Sequence, residues 1–260
     1  MPFIACDDGV ELHYRLDGPE KAPVLVMSNS LGTDLGMWEP QMPALAEHYR
    51  VLRYDTRGHG QSGLPPQPYQ VDRLGRDALT LMDGLGIDRA MFCGLSMGGM
   101  TGMWLGIHAP QRFSRLVLCN TAAKIGTPEV WNTRIATVEK GGMAAILNGV
   151  IQRWFTEDFI KLHPASVKVI SDMLLATAPE GYCAACAAVR DMDQREAIAK
   201  IRLPTLVIAG AHDLATPAQD GRFVADAIPG ARYAELPAAH LSNVERVEEF
   251  TQLLTGFLAG

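Results

Sequence analysis

The segment Gly94-Leu95-Ser96-Met97-Gly98 sets a serine between two glycines, each two residues away. At a sharp strand-to-helix turn that spacing exposes the serine Oγ in a strained backbone conformation, and glycines let the crossing chains pass because they lack a Cβ. Met91-Phe92-Cys93 before it reads as a buried strand and Met100–His108 after it as a helix, so the context is that turn. A serine hydroxyl is a weak nucleophile and needs a base, which a carboxylate must orient. Of the seven histidines, His240 follows the last predicted strand in Leu236-Pro-Ala-Ala-His240. Asp213 follows another strand in Ile208-Ala-Gly-Ala-His-Asp213, with Thr216-Pro217 closing the turn. His212 is the rival base, yet its neighbour Asp213 is too close in sequence to orient it across a cleft. His13, His48, His59, His108 and His163 lie in a hairpin, in loops or on helices. A lone histidine after a strand is usually structural. Here serine, acid and base coincide in order and in position, so Ser96, Asp213 and His240 are the candidate nucleophile, orienting acid and base. Asp191 and Asp193 are the alternative carboxylates. Acyl transfer also needs donors for an oxyanion. The Met97 N–H is one candidate and the Leu31 N–H, in Asn29-Ser30-Leu31-Gly32-Thr33, is the other.

These residues can meet only if their strands end on one edge of one sheet. Phe3–Cys6 and Val10–Leu16 read as a hairpin turning at Asp8-Gly9. Short apolar runs follow at Val24–Ser28, Val51–Asp55, Ala90–Cys93, Leu116–Cys119, Thr205–Ala209 and Tyr233–Leu236. Helical periodicity separates several of them, at Trp38–Glu47, Val71–Leu85, Gly98–His108 and Gln219–Ala227, and recurs at Val244–Leu258. Continuous apolar strands alternating with helices predict an α/β fold, a mostly parallel eight-stranded sheet flanked by helices, with the hairpin antiparallel at one edge. Residues 124–195 break the rhythm with helical patterns only, at Pro128–Lys140, Met143–Phe155 and Ser166–Thr177. They are expected to form an inserted helical cap, or lid, over the sheet's C-terminal edge, with 1–123 and 196–260 as the core. Extra packing is the plainer role for such an insertion.

Composition excludes several classes. The 260 residues carry 23 Lys+Arg against 29 Asp+Glu, a net charge of -6, which argues against a nucleic-acid partner. No apolar run reaches the roughly 20 residues needed to span a bilayer, and no basic cluster suggests a membrane surface. An N-terminal Asp7-Asp8 pair stands where an export signal would be apolar, so a cytoplasmic protein is expected. The five cysteines have no framework spacing. Cys183-Ala-Ala-Cys186 lies in an Ala-rich helical run without a second ligand pair, so it reads as small residues on a helix face rather than a zinc or redox site. No phosphate-binding glycine loop is present to hold a nucleotide cofactor.

The order Ser96, Asp213, His240 is that of the α/β-hydrolases. Beyond it, the whole chain resembles the bacterial 3-oxoadipate enol-lactonases, through Ser28-Asn-Ser-Leu-Gly-Thr-Asp-Leu-Gly-Met-Trp38, Arg53-Tyr-Asp-Thr-Arg-Gly-His-Gly60 and Gly94–Gly99. The likeness continues in Glu129-Val-Trp-Asn-Thr-Arg-Ile135, Ala187-Ala-Val-Arg-Asp191 and Pro237-Ala-Ala-His-Leu-Ser-Asn-Val-Glu245. The elbow and the Arg-Gly-His-Gly turn are widely shared. The Asn-Ser-Leu-Gly loop, the Trp-Asn-Thr-Arg segment and the Ala-Ala-His-Leu-Ser-Asn stretch are much more specific. The resemblance implies an α/β-hydrolase fold and hydrolysis of a small anionic enol-lactone through an acyl-enzyme, with no metal and no cofactor. It also turns Arg134, a residue that composition alone would leave solvated, into a candidate for the substrate's carboxylate, with Trp131 as the wall beside it. The alternatives are a carboxylesterase, or a hydrolase of carbon–carbon bonds in ring-fission products, using the same three residues. More distant is a non-catalytic ligand receptor on the same fold.

Overall fold

The structure is a computed structural model that describes residues 2–65 and 68–260. Its eight strands are β1 (Phe3–Ala5), β2 (Glu11–Asp17), β3 (Val24–Ser28), β4 (Arg50–Tyr54), β5 (Ala90–Leu95), β6 (Phe113–Cys119), β7 (Thr205–Gly210) and β8 (Arg232–Leu236). They form one sheet in the order β1-β2-β4-β3-β5-β6-β7-β8. β1 and β2 pair antiparallel, as do β2 and β4, and every later pairing is parallel. Every residue of β5 and β7 is buried, which requires both faces of the sheet to be covered.

The helices supply that cover. In the core they are α1 (Met42–Leu45), α2 (Val71–Gly84) and α3 (Met97–His108). Between β6 and β7 run α4 (Pro128–Gly141), α5 (Leu147–Trp154), α6 (Glu157–Leu162), α7 (Pro164–Ala176) and α8 (Pro179–Asp191). After β7 come α9 (Ala218–Ala227), α10 (Ser242–Glu245) and α11 (Val247–Ala259). α3 packs on α2 and on β5 and β6, α9 on β7, and α11 on β8. Within the inserted segment α4 lies on α8, and α7 on α5 and α6.

Three helical expectations are corrected. Trp38–Glu47 is instead a 3-10 segment, Leu35–Gln41, followed by the single turn α1, because Pro40 and Pro43 each remove an amide from an α-helical ladder. Val244–Leu258 breaks at Arg246, whose backbone leaves helical space (φ -131, ψ 61) between α10 and α11. Met143–Phe155 begins with a 3-10 turn after Gly142 and becomes α-helical only at Leu147. Among the described residues no helix is long and apolar enough to cross a membrane.

The sheet order reverses at β3, which has β4 on one side and β5 on the other. In an open parallel sheet the crevice at such a switch point, beyond the carboxyl ends of the strands, is where ligands bind. Here the loops after β3 and β5 flank that crevice, and they carry Leu31 and Ser96.

Candidate active site

Ser96 sits between β5 and α3 with φ 57 and ψ -114, a left-handed conformation that costs a non-glycine residue energy. The turn is held from two sides. Ser96 N–H donates to the Cys119 carbonyl at 2.8 Å, and its own carbonyl accepts from Thr121 Oγ1 at 2.8 Å. A Cβ on Gly94 would lie 2.1 Å from the Gly98 carbonyl oxygen, and one on Gly98 would lie 2.1 Å from the Ser28 carbonyl oxygen. Both glycines are therefore sterically required. Gly98 N–H also donates to the Asn29 carbonyl at 3.0 Å, which ties the elbow to the loop after β3.

Asp213 and His240 lie in the loops after β7 and β8, and His240 Nδ1 stands 2.8 Å from Asp213 Oδ2. An ionised carboxylate only accepts, so the ring proton sits on Nδ1 and Nε2 is left as the basic nitrogen. Asp213 Oδ1 accepts from the amides of Ala215 (2.8 Å) and Thr216 (2.9 Å). Its Oδ2 also accepts from Thr216 Oγ1 (2.8 Å) and Asn120 Nδ2 (3.1 Å). Burial pushes the Asp213 carboxyl up, but His240 and these donors outweigh it and hold it below the usual carboxylate range. It therefore stays ionised beside the imidazole.

Ser96, His240, Leu31, Met97, Trp131 and Arg134 all line one cavity of about 90 Å³. Among the described residues Ser96 Oγ makes no hydrogen bond, so its contact with His240 is open, as is common before substrate tightens such sites. The Leu31 and Met97 amides likewise donate to no described residue. Met97 is the first residue of α3, where amides and helix dipole favour an anion. In the same cavity the Arg134 guanidinium carbon lies 5.4 Å from the centre of the Trp131 ring. One Arg134 N–H donates to the Tyr182 hydroxyl at 3.3 Å, and the Trp131 indole N–H donates to the Ile125 carbonyl at 2.7 Å.

The rival residues lie elsewhere. His212 is exposed and lines a larger open groove that includes Asp213 but neither Ser96 nor His240. Asp191 and Asp193 form ion pairs with Arg190 (2.7 Å) and Arg195 (2.6 Å). His13 pairs with Asp55 at 2.7 Å, both buried and outside the cavity. Cys183 and Cys186 are free thiols on α8, and burial pushes Cys186 up to about 12, far from a reactive thiolate. Among the described residues no three His, Cys, Asp or Glu side chains converge on a possible metal position.

Some site residues were missed in the sequence. Arg153 on α5 brings a second guanidinium to the cavity. Asn120, with φ 43 at the end of β6, donates to both Asp213 and the Ala239 carbonyl (3.1 Å each) and accepts from Ser242 Oγ. Its position directly after a parallel strand was the one available signal.

Residues 23–141 match the family model described as alpha/beta hydrolase fold. The chain is 43% identical to 3-oxoadipate enol-lactonase 1 of Acinetobacter baylyi, covering 96% of this chain and 94% of that one. The crystal structure of the enol-lactonase from Burkholderia xenovorans superposes with a TM-score of 0.98 at 50% identity, over 100% of both chains. A thermophilic esterase from Thermogutta terrifontis, solved with malate bound, is 28% identical with a TM-score of 0.92, over 99% of this chain and 97% of that one. On its sequence and on its fold alike, the chain belongs to the 3-oxoadipate enol-lactonase family, hydrolases of the α/β-hydrolase fold.

Proposed function

We propose that the protein hydrolyses 3-oxoadipate enol-lactone to 3-oxoadipate, a step in the β-ketoadipate route of aromatic degradation, with Ser96, Asp213 and His240 as its triad. The observation that carries this reading is one small cavity lined by Ser96, His240, Trp131 and Arg134, with the Arg134 guanidinium over the Trp131 ring. The substrate is a flat unsaturated lactone with a carboxylate tail, and it needs a nucleophile at its ring carbonyl and a cation at its tail.

In the proposed reaction Ser96 Oγ attacks the lactone carbonyl carbon while His240 Nε2 takes the hydroxyl proton. The oxyanion accepts from the Leu31 and Met97 amides. Collapse breaks the ring C–O bond and expels an enolate oxygen, which receives the proton from His240. The acyl chain, with its enol, stays on Ser96. Water then gives a proton to His240 and adds to the acyl carbon. Ser96 leaves, recovering its proton, and the released enol ketonises. Asp213 stays ionised throughout, opposite the transient imidazolium. Arg134 binds the tail carboxylate and Trp131 packs on the ring. Residues 124–195 act as a cap over the site, closing it from solvent.

The test follows the loss of the conjugated lactone's ultraviolet absorbance on adding enzyme, beside a neutral aryl ester. Turnover of the lactone with the higher kcat/KM supports the proposal. A carboxylesterase role is the second reading, favoured by the structural likeness to the thermophilic esterase, and preference for the ester would establish it.

A further inference from the structure

Glu245, at the end of α10, is 8% exposed, and among the described residues it has no cationic partner. Burying a carboxylate is expensive unless donors replace its water. Three donors converge on it. The Ala239 amide lies 2.9 Å from Oε2, the Thr156 amide 3.4 Å from the same oxygen, and the Thr156 hydroxyl donates to Oε1. Ala239 immediately precedes His240, whereas Thr156 belongs to the inserted segment and caps α6 by accepting from the Phe159 amide. On the other side of His240, the Leu241 amide donates to the Trp154 carbonyl at 3.0 Å. Trp154 itself lines the cavity.

We propose that Glu245 is a positioning residue that couples the seating of the helical cap to the placement of the His240 ring. The inference rests on the reading of His240 as the catalytic base. The peptide that follows His240 is anchored directly to Trp154 through the Leu241 amide, and the Ala238–Ala239 peptide, one unit upstream of the His240 peptide, is anchored to Thr156 through the Glu245 carboxylate. The Ala239 carbonyl is held in turn by Asn120 Nδ2. Displacing the cap removes two of the three donors from a buried carboxylate, so the seated cap and the ordered His240 loop favour one another.

The experiment compares Glu245→Gln, Thr156→Val, Thr156→Ser and the Gln/Val double variant, with kcat and KM measured for the lactone and for a neutral aryl ester. Rates are scaled to folded protein by circular dichroism. An amide cannot accept on both of its ends, and valine keeps threonine's shape without the hydroxyl. Either change should lower kcat about ten- to a hundredfold on both substrates, with KM little altered. Thr156→Ser should restore the rate. The double variant should lose little more than the worse single one, because both remove the same link. The downfield proton resonance of His240 Nδ1–H should shift or broaden in both impaired variants. Wild-type kcat with an unmoved resonance in Thr156→Val overturns the proposal, as does a double variant whose losses multiply. If Glu245→Gln does not fold, the Thr156 pair and the resonance decide the question. If only the ester is turned over, the assignment of the lactone fails while the coupling is still read on the ester.

Discussion

Replacing Arg134 with alanine separates a substrate-binding guanidinium from a structural one. Arg134 is half-buried and stacks against Trp131, and among the described residues its side chain makes a single hydrogen bond, to the Tyr182 hydroxyl. Among the described residues no carboxylate pairs with it, so its charge is uncommitted. A charge-assisted hydrogen bond contributes about 1.5–3 kcal/mol. At about 1.4 kcal/mol per decade, its loss should lower kcat/KM for the anionic lactone roughly ten- to a hundredfold. Arg153 lines the same cavity and is exposed, so a second cation remains and moves the expectation toward the lower figure. Arg134→Lys should fall between, keeping the charge but losing the planar fork. The substitution also strips the buried Tyr182 hydroxyl of its partner, and Tyr182→Phe reports that structural share separately. The assay follows lactone absorbance and, in parallel, release of phenol from a neutral aryl acetate, which has no carboxylate to lose. The ratio of the two specificity constants should collapse in Arg134→Ala. Equal losses on both substrates would refute the reasoning and leave Arg134 as a support of the cap.

Ser96→Ala should abolish turnover yet fold normally, and a serine-directed phosphonylating reagent should add its mass to the peptide holding Gly94–Gly98; a label on another serine removes the mechanism. Asp213→Asn should lower turnover by orders of magnitude while retaining ligand, because the imidazole loses the acceptor that sets its tautomer. Since the folded Asp213 carboxyl lies below its unfolded range, its ionisation stabilises the fold above that range, and the contribution is lost as pH falls through the folded value. The stability deficit of Asp213→Asn, read by denaturant titration, should therefore be full near neutral pH and shrink in acid; a deficit that grows in acid contradicts the assignment. Gly98→Ala forces a methyl to 2.1 Å from the Ser28 carbonyl oxygen, so it should cost more than about 3 kcal/mol or prevent folding, and a variant that melts like wild type would show that the elbow relaxes freely.

Much of this molecule is local, and what is local was legible in the residues. Buried runs such as Leu206–Ala209 are apolar throughout because both faces of a parallel sheet are covered. Gly94 and Gly98 reveal the elbow because no other residue tolerates those contacts. Ser96, Asp213 and His240 could be singled out as candidates because each lies in the connection that follows a recognisable strand. Trp131 and Arg134 are one helical turn apart, so their stacking follows from spacing alone. The misread helices at Trp38–Glu47 and Val244–Leu258 have suitable apolar spacing, but proline and a local backbone break overrode it.

Tertiary structure alone decided which distant side chains brace the candidate residues. Asn120 meets Asp213 across 93 residues and Ser242 across 122, and Thr156 meets Glu245 across 89. Arg153, read along α5, is an exposed arginine like many others until folding brings it to the cavity that Arg134 also lines. No period links such partners, since helix and strand repeats describe how one segment faces a core and not which distant segment it meets. A buried carboxylate such as Glu245 carries no mark in its own neighbourhood, because the donors that make its burial tolerable belong to other parts of the chain.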